Sequence, residues 1–248
     1  MLWPVDTFGA VAAAVSIVAG AIAAVAGFGI GSVLTPVLSL RFDVRLAIAI
    51  VSLPHVAGTL VRFILVRAHI DRRVLLGFGV GSAIGGLVGA ALQAVVQSSV
   101  LAIVFGALLV FAGLGSLTGF ARRMRFGDRN LALVGGALSG LLGGLVGNQG
   151  GIRAAALLGF DVDKEAFVAT ATAVALVVDG ARIPVYLLTQ GSDLAAQGPL
   201  IAVLAIGAIV GTLAGGWTLR RLPEPIFRRV LGVLLVLLGL YTLARAVS

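Results

Sequence analysis

The chain contains no cysteine, which excludes a disulfide, a thiolate nucleophile and a cysteine-based metal site. Charged residues make up only 11% of its 248 residues, and aromatic residues only 6%. A soluble domain carries roughly twice that share of charge. The chain also lacks a Ser/His/Asp set and a cluster of metal ligands. Its glycine-rich stretch at 27–31 follows no strand and precedes no Gly-Lys-Ser/Thr, which excludes a nucleotide-binding loop there. These absences argue against an enzyme and against any cofactor.

Apolar sequence is abundant: 60% of the residues are hydrophobic, and the mean hydropathy is +1.14. Runs of about 20 apolar residues recur along the chain, which is typical of a helical membrane protein that crosses the lipid bilayer several times. The net charge is +8. Because the arginines lie in short loops between apolar runs, this charge indicates membrane topology and not nucleic-acid binding. The first run lacks a basic leader and a cleavage site, which predicts a retained segment.

Two apolar segments, 8–40 and 131–160, are interrupted by glycine-rich stretches at 27–31 and 147–151. Polar residues and clustered glycines do not form a stiff helix in hydrocarbon, and such backbone is tolerated only where protein or a water-filled cavity covers it. We therefore predict two re-entrant hairpins whose tips meet near the membrane midplane. Their arms should be about 13 residues or somewhat longer, near 20 Å. The second break is predicted to line a binding site.

The two halves of the chain resemble each other at an offset of 120 residues, which pairs Gly27 with Gly147 and Arg62 with Arg182. After a small insertion the offset becomes 126. This similarity indicates a duplication. We divide the chain into an N-terminal repeat (1–120), a basic cytoplasmic linker (121–130) and a C-terminal repeat (131–248), which together form one membrane domain.

The loop charges predict the direction of the repeats. If each broken segment crossed the membrane, the loop Lys and Arg residues would divide almost equally between the two sides. If each is re-entrant, all of them except Arg41, Arg45 and Arg245 lie on one side, as the positive-inside rule favours. Each half is then a hairpin plus three transmembrane helices. The predicted fold is an all-α polytopic membrane protein with two inverted repeats and outward-facing termini.

Two related spans each carry a polar stripe at helical spacing. The stripes consist of Ser52, His55, Thr59 and Arg62 and, 120 residues later, of Thr172, Ala175, Asp179 and Arg182. A charged residue at the middle of a membrane helix costs about 2.5–3.5 kcal/mol on insertion scales, so a lipid-facing position is unfavourable. We therefore expect both stripes to face a common place beside the breaks.

These residues favour an anion-binding site. Arg62 and Arg182 are suited to bind the oxygens of a sulfite, a sulfonate or a carboxylate. Further substrate-binding candidates offer charge, hydrogen bonds or the start of a half-helix: Ser32, Asn148, Gln149, Gly151, Arg153 and Thr170. Asp179 is expected to hold Arg182 in the empty site and to exchange protons, with His55 as a second coupling residue. The structural alternative, in which these charges only join helices, stays open.

The duplicated hairpins, at 27–36 and 147–153, together with the spans at 47–67 and 164–186, resemble the sulfite exporter TauE/SafE family of membrane permeases. Ile30 and the Asn148-Gln149 pair depart from the family's run of glycines, which places the chain in a divergent subgroup. The resemblance implies secondary transport, generally export, of small sulfur-containing or organic anions across the bacterial inner membrane with proton coupling. An anion channel, a non-transporting membrane scaffold and oligomer formation remain open.

Overall fold

The computed structural model describes residues 6–119, 129–147, 153, 157, 160, 163–218 and 223–247. Within these ranges the chain forms helices and no strand, as the sequence predicts. A short 3₁₀ turn, Arg67–His69, follows the third helix. The described helices are α1 (Thr7–Ala26), α2 (Ile30–Leu38), α3 (Val44–Val66), α4 (Arg72–Val95), α5 (Ser98–Thr118), α6 (Arg129–Val146), α7 (Lys164–Ala196), α8 (Gly198–Thr218) and α9 (Glu224–Val247).

Among the described residues, 7 helices are long and apolar enough to cross a membrane. They are α1, α3, α4, α5, α7, α8 and α9. Helix α6 contributes a shorter apolar stretch, Leu133–Val146. The prediction of an all-α polytopic membrane protein is therefore confirmed.

Helices α1 and α2 form a hairpin that begins and ends on the same side of the molecule. Asp6, which caps α1, pairs with Arg41 just beyond α2. The rings of Phe8 and Phe42 meet edge to face with their centroids 6.2 Å apart. The Gly9 N–H and the Arg41 guanidinium lower the pKa of the Asp6 carboxyl below its usual value. This geometry agrees with a re-entrant first segment.

The two arms of this hairpin are unequal. Helix α1 has 20 residues, about 30 Å, whereas α2 has 9 residues, about 14 Å. Arms of about 13 residues or somewhat longer were expected, so α1 is longer and α2 shorter than predicted. Helix α1 continues without interruption to Gly27, where φ is 79°, and Gly29 follows with φ 144°. These left-handed values favour glycine and end the helix.

The halves of the chain are interleaved, because α1 packs on α8 and α6 packs on α4. A Cβ on Gly85 of α4 would lie 2.0 Å from the Ala137 carbonyl oxygen of α6. A Cβ on Gly211 of α8 would lie 1.9 Å from the Ile17 carbonyl oxygen of α1. Only glycine permits such close backbone contact. The GxxxG sets at these two contacts are therefore packing interfaces within this chain.

Helices α5 and α9 occupy equivalent places in the two halves and pack against each other in opposite directions. A Cβ on Gly106 would lie 3.0 Å from the Gly239 carbonyl oxygen, and one on Gly113 would lie 2.7 Å from that of Gly232. Equivalent helices of inverted repeats must run antiparallel, whereas those of parallel repeats run the same way. The inverted arrangement remains our prediction, and this crossing supports it.

Helix α7 is longer than its counterpart α3 and bends at Gln190, whose backbone is non-helical (φ −136°, ψ 21°). The Gln190 amide donates to Gln93 Oε1 at 3.1 Å, and Gln93 Nε2 donates to the Arg45 carbonyl at 3.0 Å. These bonds join the ends of three helices. The extra length of α7 lies where the repeat offset changes from 120 to 126.

Candidate anion-binding site

The polar stripes of α3 and α7 face each other where these helices cross. His55 Nδ1 lies 2.7 Å from Asp179 Oδ2, and Arg62 Nε donates to Thr172 Oγ1 at 2.9 Å. All four side chains are buried. The expectation that both stripes share one polar centre is therefore confirmed.

The two breaks meet beside this centre. A Cβ on Gly31, in the first turn of α2, would lie 2.6 Å from the carbonyl oxygen of Gly147, and one on Gly147 would lie 3.3 Å from Arg182 Nη1. Helix α2 is buried from Ile30 to Pro36, so protein covers this irregular backbone. The hairpin tip thus touches the second break, as expected.

Arg62 and Arg182 perform the same structural task in the two halves. Arg62 Nη1 donates to the carbonyl of Ala23 near the end of α1, and Arg182 Nη1 donates at 2.9 Å to that of Gly143 near the end of α6. The two arginines are 120 residues apart, and so are Ala23 and Gly143, whose carbonyls accept these bonds. A cation at the C-terminal end of a helix compensates its negative dipole. Sequence reasoning missed this role because a backbone carbonyl leaves no mark in the sequence.

Asp179 links two charged or titratable partners. Its Oδ1 accepts a hydrogen bond from Arg182 Nε at 2.9 Å and lies 2.8 Å from Arg182 Nη2 in an ion pair, while Oδ2 faces His55. Tyr186, which sequence reasoning did not select, donates its hydroxyl to the Gly144 carbonyl. Its ring lies 6.0 Å from Arg182 Cζ. Arg182 is therefore held by Asp179 and by the Gly143 carbonyl.

Arg153 is the least satisfied member of the cluster. It is 2% exposed, and its Nη1 has no hydrogen-bond partner among the described residues. The charges of Arg62, Asp179 and Arg182 act on it. Three buried arginines and one buried aspartate carry a formal charge of +2 at this place. Such an excess of buried positive charge is unfavourable without an anion.

The remaining predicted residues are placed differently. Ser32 is buried in the first turn of α2. The Thr170 hydroxyl accepts a bond of 3.0 Å from the Asp71 N–H at the start of α4. Thr172, two residues later and therefore about 200° around the helix, is the threonine that contacts Arg62. The other predicted substrate-binding residues, Asn148, Gln149 and Gly151, lie outside the described residues.

The family assignment agrees with this architecture. The model of the sulfite exporter TauE/SafE family matches residues 12–242, nearly the whole chain. No curated protein and no solved structure matches the chain significantly. Proteins of this family are membrane transporters and not enzymes. The chain therefore belongs to the sulfite exporter TauE/SafE family of multi-pass membrane transporters.

Proposed function

We propose that the protein is a secondary transporter that exports a small sulfur-containing or organic anion, such as sulfite, a sulfonate or a carboxylate, in a proton-coupled cycle. The observation that carries this proposal is the buried excess of positive charge, with a guanidinium nitrogen on Arg153 that has no hydrogen-bond partner among the described residues. A bound anion would neutralise that charge and accept its hydrogen bonds.

The proposed substrate site comprises Arg62, Arg153 and Arg182, with neutral donors from the two breaks. The first turn of α2, which contains Ser32, offers N–H groups and the positive end of its dipole. Asn148, Gln149 and Gly151 remain proposed donors from the second break. We replace Thr170 by Thr172 in this site, because the Thr172 hydroxyl contacts Arg62.

Proton coupling is assigned to Asp179 and His55. The Asp179 carboxylate contacts His55 and Arg182 at the same time, so a proton that neutralises it weakens its hold on Arg182. Arg182 then becomes available to the substrate anion. Loss of that proton restores the Asp179–Arg182 pair and favours release of the anion. Proton binding and anion binding are thereby linked.

The packing suggests which parts move during alternating access. Helices α1, α3 and α8 form one packed group, and α4, α6 and α7 form another. Each group combines helices from both repeats, and the polar contact between α3 and α7 lies between the groups. We propose that these mixed groups rock against each other, and that the repeats do not move as intact halves.

A channel would use the same residues without coupling. The buried state of Arg62, Arg153 and Arg182, each no more than 4% exposed, favours a carrier, since an open pore requires these charges to be hydrated. A scaffold protein has no need of an unpartnered buried guanidinium. The site therefore favours transport over a channel or a scaffold function.

Counterflow in liposomes tests this proposal. Liposomes that contain the protein are loaded with sulfite or methanesulfonate. They should exchange the internal anion for the same anion outside, and the rate of exchange should saturate as the anion concentration rises. Arg153→Gln should lower the apparent affinity about tenfold or more, because a charge-assisted hydrogen bond contributes about 1.5–3 kcal/mol. Arg229→Gln, which removes an exposed positive charge, is the matched control and should behave as the parent. Equal counterflow in both variants would exclude the Arg153 site, and non-saturating flux would favour a channel.

A further inference from the structure

The two polar stripes differ at one charged position. In the second half, Asp179 precedes Arg182 by three residues and forms an ion pair with it. At the equivalent position in the first half, Thr59 precedes Arg62 by three residues. The carboxylate that serves one arginine therefore has no counterpart on the helix of the other.

In the part of the chain that the structure describes, the hydrogen-bond partners of Arg62 are neutral. Its Nε bonds to the hydroxyl of Thr172 and its Nη1 to the carbonyl of Ala23. Among the described residues, no carboxylate oxygen lies within ion-pair distance of Arg62. Arg182, in contrast, receives both a carbonyl and the Asp179 carboxylate. The guanidinium of Arg62 thus lacks the anionic partner that its counterpart has.

The Thr59 hydroxyl is also unsatisfied. Thr59 is 1% exposed, and its Oγ1 has no hydrogen-bond partner among the described residues. A threonine in a helix usually bonds the carbonyl four residues earlier, as Thr172 bonds Val168 at 2.6 Å and Thr242 bonds Leu238 at 2.8 Å. Thr59 does not. A buried hydroxyl without a partner is costly, so a ligand atom that bonds it is favoured.

Arg153 belongs to the same buried cluster and is 2% exposed. Its Nη1 has no hydrogen-bond partner in the part of the chain that the structure describes. Two buried guanidinium groups, together with an unsatisfied hydroxyl on the Arg62 helix, make this a favourable place for a negative group.

On the basis of the transport function proposed above, we propose that the head group of the substrate occupies, beside Arg62, the place that the Asp179 carboxylate occupies beside Arg182. Arg62, Arg153 Nη1 and Thr59 Oγ1 are the donors of this subsite. Three donors from separate side chains suit a head group with three oxygens, such as a sulfonate or sulfite. A carboxylate, with two oxygens, leaves one donor unsatisfied and should bind roughly tenfold more weakly.

The test fills the subsite with a carboxylate from the protein. Thr59→Asp reproduces the Asp-x-x-Arg spacing of the second half, and Thr59→Asn is the matched neutral control. Thermal stability of the detergent-purified protein is measured with methanesulfonate, sulfite and acetate, because a ligand stabilises the state that binds it. We expect methanesulfonate to stabilise the parent and Thr59→Asn but not Thr59→Asp. Equal stabilisation of Thr59→Asp and Thr59→Asn would overturn the subsite.

A second variant tests the hydroxyl alone. Thr59→Val keeps the shape of the side chain and removes the donor, so it should bind methanesulfonate roughly tenfold more weakly. An unchanged dissociation constant would contradict the role of Thr59. If the parent is stabilised and Arg153→Gln abolishes this while both Thr59→Asp and Thr59→Val bind normally, this inference alone is wrong. If no anion stabilises the parent, the proposed function and the subsite both fail.

Discussion

His55 Nδ1 lies 2.7 Å from Asp179 Oδ2, and this contact joins α3 to α7 through two residues that are 124 positions apart in the chain. Asp179 also pairs with Arg182 and is the only carboxylate, among the described residues, that pairs with the buried arginine cluster. The charge of the cluster and its capacity to exchange protons therefore depend on one side chain. Two predictions follow from this dependence.

The Asp179→Asn variant should be less stable than the parent. It leaves Arg182 buried without its ionic partner, and breaking such a pair costs about 3–5 kcal/mol. Saturating methanesulfonate should recover part of that loss, because the bound anion replaces the missing charge. Thermal unfolding in detergent with and without methanesulfonate measures both effects. Parent-like stability in the absence of anion would argue against an energetically important pair.

The His55→Gln variant should uncouple transport from protons. Glutamine keeps a polar side chain against Asp179 but removes the titratable ring. We expect anion counterflow to persist, whereas accumulation driven by a pH gradient is lost. His69, the other histidine of the chain, is exposed in a loop, so His69→Gln is the control. Unchanged gradient-driven accumulation in His55→Gln would exclude His55 from coupling.

The contact between the two breaks should tolerate no added methyl group. In Gly31→Ala the Cβ would lie 2.6 Å from the backbone oxygen of Gly147, so one break must shift, at a cost of about 1–3 kcal/mol. Counterflow should fall strongly. Gly115→Ala adds a Cβ with no atom within 4 Å and should leave counterflow unchanged. Normal flux in Gly31→Ala would show that the breaks need not touch during the cycle.

The glycine-lined interface between α4 and α6 gives a stability test within one helix. Gly85→Ala places a Cβ 2.0 Å from the Ala137 carbonyl and should destabilise the protein by about 1–3 kcal/mol. Gly77→Ala, on the same helix, meets no atom within 4 Å and should be neutral or stabilising by about 0.5–1 kcal/mol, because alanine favours the helix. The midpoint of thermal unfolding compares the two. The reverse order would contradict the packing of α4 on α6.

The antiparallel crossing of α5 and α9 can be fixed by a disulfide, since the chain has no cysteine of its own. A Cβ on Gly106 would lie 2.8 Å from Leu243 Cγ, so the pair Gly106→Cys and Leu243→Cys should oxidise readily. After proteolysis at a site introduced into the 121–130 linker, the two halves should stay joined until reduced. Gly106→Cys with Ile226→Cys, about 25 Å away along α9, is the control. Cross-linking of the control pair alone would refute the crossing and, with it, the support for inverted repeats.

The sequence predicts the local features of this fold well. Gly27 and Gly147 mark the breaks because both adopt left-handed backbone, and Asp43 and Asp163, 120 residues apart, both cap helices. The polar stripes are recoverable because a charge in a membrane helix must find a partner. These signals belong to single residues or to one helix face.

What the sequence does not predict is the choice of partner. Helices α4, α6 and α8 all carry GxxxG sets, so any two of them have surfaces suited to pack together, and nothing in the spacing indicates that α6 selects α4. The hydrogen bonds from Arg62 and Arg182 to backbone carbonyls cannot be predicted either, because a backbone carbonyl leaves no mark in the sequence. The sequence places Thr172 in the polar stripe and Thr170 among the neutral donors, but polarity alone does not show which of them contacts an arginine, because two residues along a helix turn a side chain to the opposite face.

The packing of α1 on α8 also governs how the chain is assembled as it leaves the ribosome. Helix α1 is made before its partner, which follows only when residues 198–218 emerge, roughly 10–40 seconds later at usual rates of synthesis. Until then the face of α1 that packs on α8 contacts lipid or another protein. Helices α4 and α6 are close in sequence and meet much earlier. The contact between α4 and α6 therefore forms first, and α1 takes its final neighbour only after α8 has been made.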